Sequence, residues 1–301
     1  MILAIGMVLD AVLGEPKWLW DRMPHPAVVM GRLIGWLDRT LNSGNDRKSK
    51  GILVIAGLTL GAWLLGLVLS ELPDLGVIEI AIVAILLAQK SLVDHVAQVA
   101  RALETGLEDG RQAVAQIVGR DVDALDRSGV ARSAIESAAE NLSDGVIAPA
   151  LAYLILGLPG LIAYKIINTA DSMIGYRTER HEEFGWASAR LDDLVNWLPA
   201  RLTAGLILLA KARPDLWRLV LRDARLHRSP NAGWPEAAMA GVLDVALSGP
   251  RSYNGVMGEQ PFVHARGQRD LGPEDIRVAV TVLWQVWALM LGLCVLANIL
   301  T

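Results

Sequence analysis

The rest of the chain is arranged around RSAIESAAENLSDGVIAP, residues 132–149, in which carboxylates and an amide run directly into an apolar segment. At about 100° per residue, Glu136, Glu140 and Asp144 fall within roughly 80° of one another on a helix. Three carboxylates on one face repel, and no lysine lies four residues further along to pair with any of them. Such a face predicts either a bound cation or exposure to solvent.

The composition points to a membrane protein. The chain has 301 residues, of which 53% are hydrophobic, and its mean hydropathy is +0.38. Ordinary soluble domains contain roughly 45–50% apolar residues even with glycine counted. A net charge of −4 gives no reason to expect a nucleic-acid partner. The single cysteine, Cys294, lies inside an apolar run, which predicts a small buried side chain and no disulfide.

Apolar runs predict the membrane-embedded helices. Residues 52–69 are uncharged and close to the roughly 20 residues that span a bilayer. A turn at Pro73 and the run 77–89 would complete a helical hairpin, and LGLPG at 156–160 should kink the run 146–167. We therefore predict an all-α, polytopic integral membrane protein with roughly four to six membrane-embedded helices, some kinked or re-entrant. The remaining predicted segments are a short interfacial or buried helix over 1–14, an apolar run at 194–210 and a last span at 278–298.

The hydrophilic parts predict a helical layer on one side of the membrane. Residues 90–119 have the apolar spacing of an amphipathic helix, and 211–277 is long, basic and rich in turn signals. The positive-inside rule places 14–50, 90–145 and 211–277 in the cytoplasm. We predict one membrane-embedded domain, 1–301, whose cytoplasmic helical layer is formed by 90–145 and 211–277, with too few strand signals for a sheet. Counting spans places 168–193 outside, and a re-entrant 146–167 would return it to the cytoplasmic side, which we favour.

A second polar cluster follows the kinked run, in KIINTADSMIGYRTERHEEFG at 165–185. Asn168 and Asp171 share a helical face, and an aspartate beside a membrane span is costly unless it is paired or faces water. Arg177 and Arg180 then offer forked donors that suit phosphate or carboxylate groups. For the arginines alone, a cationic collar at the membrane interface is an equal alternative.

Two further clusters carry oxygen and cation donors. In RLDDLVNWLPARL, Asp192, Asp193 and Asn196 are hard-oxygen ligands that suit Mg²⁺, although a charge pair at a helix N-terminus explains the same pattern. In RLHRSPNAGWPEAAMAGVL, the cations Arg225 and Arg228 precede a turn and the start of an Ala-rich helix, where anions bind well. A capped loop would explain that helix start but not the Arg-His-Arg run.

His25 stands between two prolines, so its backbone is fixed and its ring could ligate or hydrogen-bond, although a lone histidine usually does neither. The chain has no GxxxxGK[ST], no GxGxxG after a strand, no GxSxG and no HExxH. A nucleotide, if used, is not held by a P-loop.

Taken in order, these motifs resemble the CobD/CbiB family of cobalamin biosynthesis, the membrane adenosylcobinamide-phosphate synthases. The resemblance rests on ESAAENLSDGVIAPALAYLILGLPG, YKIINTADSMIGYR, RLDDLVNWLPARLTA and RSPNAGWPEAAMAGVL, with LDAVLGEP near the start and RDLGPEDIR near the end. It covers nearly the whole chain and is weaker over 244–268. Glu15 departs from the expected Gly-Asp-Pro but keeps the carboxylate.

The resemblance implies an ATP- and Mg²⁺-dependent amide ligase of the cell membrane, with its active site on the cytoplasmic side. It would join a propionate of the corrinoid adenosylcobyric acid to the amine of (R)-1-aminopropan-2-ol phosphate or a related amino-alcohol. Other implied partners are membrane lipid and either further late corrinoid-pathway enzymes or a second copy of the chain. Which amino-alcohol is used stays open.

The same resemblance suggests a role for each polar cluster, without deciding which carboxylate is the base. The expected catalytic residues are Glu136, Glu140, Asp144 and Asp171; the expected metal ligands are Asp192, Asp193 and Asn196; and the expected substrate or phosphate contacts are Arg177, Arg180, Arg225, Arg228, Asn141, Asn168, Asn231 and His25.

Two other classes of function compete with the ligase. A corrinoid-binding or transport protein could use the acidic residues as an ion path, although no inverted repeat is evident. A phosphotransferase of the polyprenyl or CDP-alcohol type would also bind Mg-pyrophosphate at helix ends, but ESAAEN and DDLVN do not match its repeated aspartate patterns.

Overall fold

The computed structural model of the chain describes residues 1–119, 121–253 and 256–300. They group into two compact units, the first built from Met1–Ala88 and Ala148–Asn196 and the second from Gln89–Ile147 and Trp197–Thr301. The two regions predicted to form the hydrophilic layer, 90–145 and 211–277, therefore both fall within the second unit. The prediction of one membrane-embedded domain is not tested by this grouping and stays a prediction.

The first unit is helical throughout its described elements. They are α1 (Ile2–Leu13), α2 (Lys17–Trp20), α3 (Pro26–Leu41), α4 (Arg47–Ser70), α5 (Val77–Leu86), α9 (Ala148–Ile174) and α10 (Trp186–Val195). The predicted helix over 1–14 and the predicted span over 52–69 are both confirmed as helices, α1 and α4.

The central contact of this unit is between α4 and α9. Gly66 makes the close approach possible, because a Cβ atom there would lie 2.4 Å from the Cα of Pro159. Further along the pair, a buried apolar cluster includes Val54 and Ile55 of α4 and Ile166 and Ile167 of α9. Burying such side chains stabilises the pair by about 25 cal/mol for each Å² removed from water, or by packing alone where lipid surrounds them.

The kink predicted at LGLPG is confirmed. Gly157 of α9 has φ 65° and ψ −159°, outside the helical region, and Pro159 lies inside the same helix. A proline removes one helix hydrogen bond and clashes with the preceding turn, and glycine alone adopts such a ψ at positive φ without strain. Whether the kinked segment is re-entrant stays a prediction.

The predicted helical hairpin of α4 and α5 is wrong in its packing. The turn at Pro73 joins the two helices in sequence, but α5 packs mainly on α1, while α4 packs mainly on α9. The reason is again steric, since a Cβ on Gly6 of α1 would lie 2.4 Å from Val83 of α5. The helices α4 and α5 are therefore neighbours in sequence but not each other's main packing partners.

The second unit also consists mostly of helices. They are α6 (Gln89–Thr105), α7 (Leu107–Val114), α8 (Arg127–Leu142), α11 (Trp197–Ala210), α12 (Trp217–Asp223), α13 (Gly233–Leu243) and α14 (Pro273–Leu300), with a π-helix at Ser143–Ile147 and 3₁₀ turns at Pro214–Leu216 and Ala224–Leu226. The amphipathic segment predicted over 90–119 is divided by Gly106 into α6 and α7, and its residues Val93, Val96, Ala100 and Leu103 are buried as their spacing predicts.

The predicted helical layer needs one correction, because 211–277 is not entirely helical. After α13, β1 (Leu247–Ser248) pairs antiparallel with β4 (Phe262–Val263), and β2 (Arg251–Tyr253) pairs antiparallel with β3 (Val256–Gly258). Gly249, with φ 87°, and Pro250 separate β1 from β2. The strands are too short to give a period-2 signal in the sequence.

Within the described residues, three helical segments are long and apolar enough to cross a membrane. They are α4, the continuous segment Arg127–Ile174 and residues Pro273–Ile299 of α14. The consecutive helices α10 and α11 add a fourth if they are counted as one broken span. These helices support a membrane protein, and the count of four to six membrane-embedded helices stays a prediction.

Replacing Gly66 by alanine should destabilise the first unit, because the added Cβ would collide with the backbone of α9. We expect a loss of about 1–3 kcal/mol, measured as a lower unfolding temperature in detergent. Gly61→Ala, one turn and a half away on the same helix, has no atom within 4 Å of the added Cβ. It should be neutral or slightly stabilising, since alanine favours a helix by up to about 1 kcal/mol. Equal effects of the two variants would contradict the proposed close approach.

Candidate functional site

The three carboxylates of the opening stretch do not share one environment. Glu136 is buried, and its Oε1 accepts a hydrogen bond from the backbone N–H of Ser248 at 2.6 Å. Glu140 is exposed on the last turn of α8, and Asp144 is half-buried in the π-helix that follows. Because π-helical bonds run from i to i+5, the spacing of 3.6 residues per turn no longer holds at Asp144. Glu136 thus anchors the segment around β1, while Glu140 and Asp144 lie nearer to solvent.

Asn141 forms hydrogen bonds within the same helix. Its Nδ2 donates to the carbonyl and the Oγ of Ser137, at 2.9 and 3.1 Å, and the Ser137 hydroxyl donates to the carbonyl of Ile117 at 2.8 Å. These bonds link α8 to the turn after α7. Asn141 is exposed near the end of α8, and its side-chain oxygen is an acceptor that suits a hydrogen bond from a ligand.

The predicted anion-binding loop in the second unit is a turn that hydrogen bonds to the Ser229 side chain stabilise. The Ser229 hydroxyl accepts the backbone N–H groups of Asn231 and Ala232, each at 3.2 Å. Arg225 and Arg228 are exposed on either side of His227, whereas Asn231 is buried. The start of α13 at Gly233 lies within two residues of the predicted helix start at Pro235.

Two buried or stacked groups beside this loop were not among the predicted site residues. The guanidinium of Arg201 lies 4.5 Å from the ring centroids of both Trp197 and Trp234, and its Nη1 donates to Asn231 Oδ1 at 3.0 Å. Such cation–π contacts fix an arginine in one orientation. An arginine inside an otherwise apolar run is a signal of a functional or anchoring residue, and it could have identified Arg201 from the sequence.

The second missed group is the buried pair of His227 and Glu236. His227 Nε2 lies 3.5 Å from Glu236 Oε1, and His227 Nδ1 accepts the backbone N–H of Ser229 at 3.0 Å. Because Nδ1 accepts a bond, the ring proton belongs on Nε2, which faces the carboxylate. The pair therefore positions the turn that carries Arg228 and Asn231. No spacing rule connects residues nine apart across a loop, so the sequence did not indicate it.

In the first unit the structure brings together predicted residues from two helices. Asn168 Nδ2 of α9 donates to Asp192 Oδ1 of α10 at 3.3 Å, and the Tyr164 hydroxyl donates to Asn196 Oδ1 at 2.9 Å. Asp192 and Asn196 are buried. Asp171 is half-buried one turn beyond Asn168 on the same helix. The separate KIINTADS and DDLVN motifs thus form one polar seam.

Gly175 lies against this seam for a steric reason. A Cβ at that position would lie 1.9 Å from Asp171 Oδ1 and 2.7 Å from the Asp171 carbonyl oxygen. Any larger residue would therefore displace the Asp171 side chain or the end of α9. The observed position of the Asp171 side chain therefore requires a glycine at position 175.

The two adjacent aspartates of α10 point in different directions. Successive helical residues differ by about 100°, and while Asp192 is buried against Asn168, Asp193 is half-buried with Oδ2 3.8 Å from Arg190 Nη1. The charge of Arg177 also acts on Asp193. Of the predicted phosphate contacts, Arg177 is exposed and lies near the predicted metal ligands.

Arg180 has a carboxylate partner in the structure. Its Nη2 donates to Asp38 Oδ2 at 2.7 Å, and its carbonyl accepts a bond from Asn42 Nδ2 at 2.9 Å. Burial by itself raises the pKa of Asp38, but hydrogen bonds from Arg180 and Asn42 outweigh it, so that the pKa lies below the ordinary value. Arg180 therefore attaches the loop after α9 to α3, and its predicted phosphate contact stays a prediction.

His25 caps α3. Its Nδ1 accepts the backbone N–H of Ala27 at 3.1 Å, and its ring lies edge-on to Trp20 with 4.5 Å between centroids. Burial lowers the pKa of the His25 ring, and the neighbouring charge of Glu15 offsets this only in part. A neutral ring is the form that can accept the capping bond, so the structure assigns His25 a capping role beside its predicted substrate contact.

Among the residues that the structure describes, no three His, Cys, Asp or Glu side chains are grouped to hold a metal ion. Mg²⁺ in nucleotide-dependent enzymes is usually held by one or two carboxylates together with substrate phosphates, so it does not need such a group. The Asp192 carboxylate, with the Asn168 amide beside it, fits that limited donor set. The predicted site residues therefore divide between the two units. The first unit contains His25, Asn168, Asp171, Arg177, Arg180, Asp192, Asp193 and Asn196, and the second contains Glu136, Glu140, Asn141, Asp144, Arg225, Arg228 and Asn231.

The structure is that of a helical protein with several helices long and apolar enough to cross a membrane and with acidic and basic clusters near the ends of apolar helices. Comparison with known families makes this specific, because the family model described as CobD/Cbib protein matches residues 3–283. The chain belongs to the CobD/CbiB family. No solved structure gives a significant match.

Relatives match the chain over almost its whole length. A cobalamin biosynthesis protein CobD of Brucella anthropi is 48% identical, over 100% of this chain and 97% of that protein. The proteins of the same name from Rhizobium meliloti and Rhodobacter capsulatus are 48% and 47% identical, over 96% and 92% of this chain and 94% and 89% of their own lengths. The matches therefore include both units and all four polar motifs.

Acid should destabilise the first unit through Asp38. Because its pKa is lower in the folded chain, the carboxylate contributes stability that is fully present above the unfolded value of about 3.9 and is lost as the pH falls through the folded value. Asp38→Asn should cost roughly 1–2 kcal/mol at neutral pH, since Arg180 is half exposed, and should flatten the acid dependence. The measurement is the unfolding temperature in detergent between about pH 3 and 7.

The control is Asp94→Asn, which removes an exposed carboxylate on α6 that pairs only with Lys90 of the same helix in the described structure. It should leave the acid dependence of the Asp38 contribution intact. An Asp38→Asn protein that keeps the wild-type acid profile would show that this ion pair does not stabilise the fold.

Proposed function

We propose that the chain acts in cobalamin biosynthesis as an ATP- and Mg²⁺-dependent amide ligase. It would join adenosylcobyric acid to (R)-1-aminopropan-2-ol phosphate, or a related amino-alcohol, to give adenosylcobinamide phosphate. The observation that carries the proposal is the match at 46–49% identity with proteins named for cobalamin biosynthesis. Those names do not state a reaction, and the reaction is inferred from what the family resemblance implies.

The chemistry needs an activated carboxylate. An oxygen of the corrinoid propionate attacks the γ-phosphorus of ATP, the bond to the bridging oxygen breaks, and ADP leaves. The amine nitrogen then attacks the acyl carbon, a C–N bond forms, the C–O bond breaks, and inorganic phosphate leaves while a base takes the amine proton. Negative charge develops on phosphoryl and carbonyl oxygens in both steps, so cations and a proton acceptor are required.

The seam in the first unit is suited to the phosphoryl groups. Asp192, steadied by Asn168, would hold Mg²⁺, which when bound neutralises phosphate charge. Arg177 is exposed nearby and can donate two parallel bonds to a phosphate. Asp171, half-buried on the same helix, is positioned to orient a polar group of the substrate.

The cluster in the second unit is suited to the amino-alcohol phosphate and its amine. Arg225 and Arg228 present exposed guanidinium groups around the turn that His227 and Ser229 hold in shape. Asp144 and Glu140 are the more accessible carboxylates of the opening stretch and thus the better candidates for the proton acceptor. Glu136 already anchors the backbone of Ser248, which favours a structural role for it.

The distribution of basic residues supports one orientation in the membrane. Lysines and arginines concentrate in 14–50, 90–145 and 211–277, so these parts would face the cytoplasm of a multi-pass protein of the cell membrane. ATP and soluble phosphate esters are available on that side. The loop cluster, which lies within 211–277, would then be reached from the cytoplasm. The polar seam would be reached from the same side if the run 146–167 is re-entrant.

The reaction is tested by the mass of the product. Purified protein in detergent, incubated with adenosylcobyric acid, ATP, Mg²⁺ and (R)-1-aminopropan-2-ol phosphate, should form adenosylcobinamide phosphate together with ADP and phosphate. Omission of ATP or Mg²⁺ should abolish the product. Corrinoid that binds to the protein or crosses vesicle membranes without ATP and without a change of mass would instead support a binding or transport protein.

Two carboxylates should be needed for turnover. Asp192→Asn and Asp144→Asn each keep the size and shape of the side chain but remove its charge, and should lower kcat by about 10²-fold or more. Asp215→Asn is the matched control, because Asp215 is exposed and pairs with Arg213 at 2.9 Å. Product formation is measured by mass spectrometry and insertion by membrane fractionation. Near-normal turnover in both variants would contradict the site, while leaving the reaction itself established by the product mass.

A further inference from the structure

A large apolar groove runs along the first unit between α3 and α4. It has a volume of about 860 Å³ and is lined by residues such as Val29, Leu33, Leu53 and Leu58, with Ile162 and Ile166 of α9 among them. The volume lies in the range of ligand sites, roughly 300–1,000 Å³. The groove contains none of the residues of the proposed ligase site.

Two glycines give the groove its depth. Gly57 and Gly61 of α4 line it, and a Cβ added to either would meet no atom within 4 Å. These positions therefore do not serve close helix packing, unlike Gly66 on the same helix, whose added Cβ would collide with α9. The absence of side chains at Gly57 and Gly61 leaves space along an exposed helical face.

One end of the groove is cationic. Lys50 is the only charged side chain that lines it among the described residues, and its Nζ donates one bond, to the Ser43 carbonyl at 2.7 Å. An ammonium group has three N–H donors, so two are left for a ligand. The other cations of the first α4 turn are engaged, since Arg47 pairs with Glu183 at 3.1 Å and Lys48 lies 4.0 Å from the Trp186 ring centroid. The start of α4 also favours an anion through its exposed N–H groups.

The length of the groove suits one lipid chain. From Lys50 to Leu65 the helix rises about 22 Å at 1.5 Å per residue. One leaflet of a bilayer contributes about half of the roughly 30 Å hydrocarbon core, or about 15 Å, which is shorter than the groove. An acyl chain of one leaflet can therefore lie along α4 while its headgroup stays at the level of Lys50.

We propose that this groove binds an anionic phospholipid, with an acyl chain along Gly57 and Gly61 and its phosphate at Lys50. The apolar lining accounts for the chain, and the cation at one end accounts for the charge of the headgroup. A second copy of the chain would have to bring a carboxylate to the same end, so charge complementarity favours the lipid. The binding is independent of the ligase reaction.

The test uses purified full-length protein and native mass spectrometry with phosphatidylglycerol and phosphatidylcholine of equal chain length. Wild type should retain phosphatidylglycerol, and Gly57→Leu/Gly61→Leu should reduce the bound fraction about tenfold, because leucine side chains occupy the groove. Gly292→Leu on α14, also at an open position, is the matched control and should retain the lipid. Lys50→Gln should reduce the preference for phosphatidylglycerol about fivefold while keeping lipid bound.

Unchanged phosphatidylglycerol binding in the double variant would overturn the proposal, as would an unchanged lipid preference in Lys50→Gln. Light scattering that shows a dimer lost only in the double variant, with no lipid retained by wild type, would identify a second copy as the occupant and also overturn it. If the double variant fails to fold, the single variants Gly57→Leu and Gly61→Leu replace it. Product formation by these proteins is measured separately and does not enter the comparison.

Discussion

The backbone contact between α4 and α9 is the interaction on which the first unit depends. Because Gly66 has no side chain, the backbone of α4 can lie against the backbone of α9 at Pro159. This contact is at the segment where Gly157 and Pro159 break α9. In lipid, apolar surface supplies little drive for association, so close packing through small residues has to stabilise helix pairs. The contact also fixes the second half of α9, which carries Asn168 and Asp171.

The polar seam shows how two unrelated motifs become one site. Asn168 lies on α9 and Asp192 on α10, and a hydrogen bond of 3.3 Å joins these two residues, which are 24 positions apart in sequence. The turn between the helices is in turn attached to α3 by Arg180 and Asp38. A buried carboxylate requires such partners, because an unpaired charge in an apolar setting is costly. The residues that join α9 to α10 are therefore the same residues that we propose for the active site.

Much of the fold was predictable because long apolar runs and helix-breaking residues are local signals. The span at 52–69 and the break at LGLPG follow from apolar length and from the conformational limits of glycine and proline. The packing of α5 on α1 was not predictable, since it depends on Gly6 meeting Val83. The strands β1–β4 also escaped prediction, because each has only two or three residues. The bond from Ser248 to Glu136 escaped it because the two residues are far apart in sequence.

The amino-acid sequence alone was enough to predict a mainly helical chain of the CobD/CbiB family with helices apolar enough to cross a membrane, and to identify the polar residues that interrupt its apolar runs. These properties are local, because they depend on composition, periodicity and the order of short motifs. Only the tertiary structure decided that Glu136 is a buried anchor, that Arg180 is paired with Asp38, and that Asn168 lies beside Asp192. The physical reason is that the environment of a charged group is set by neighbours that packing brings together, and no local pattern encodes them.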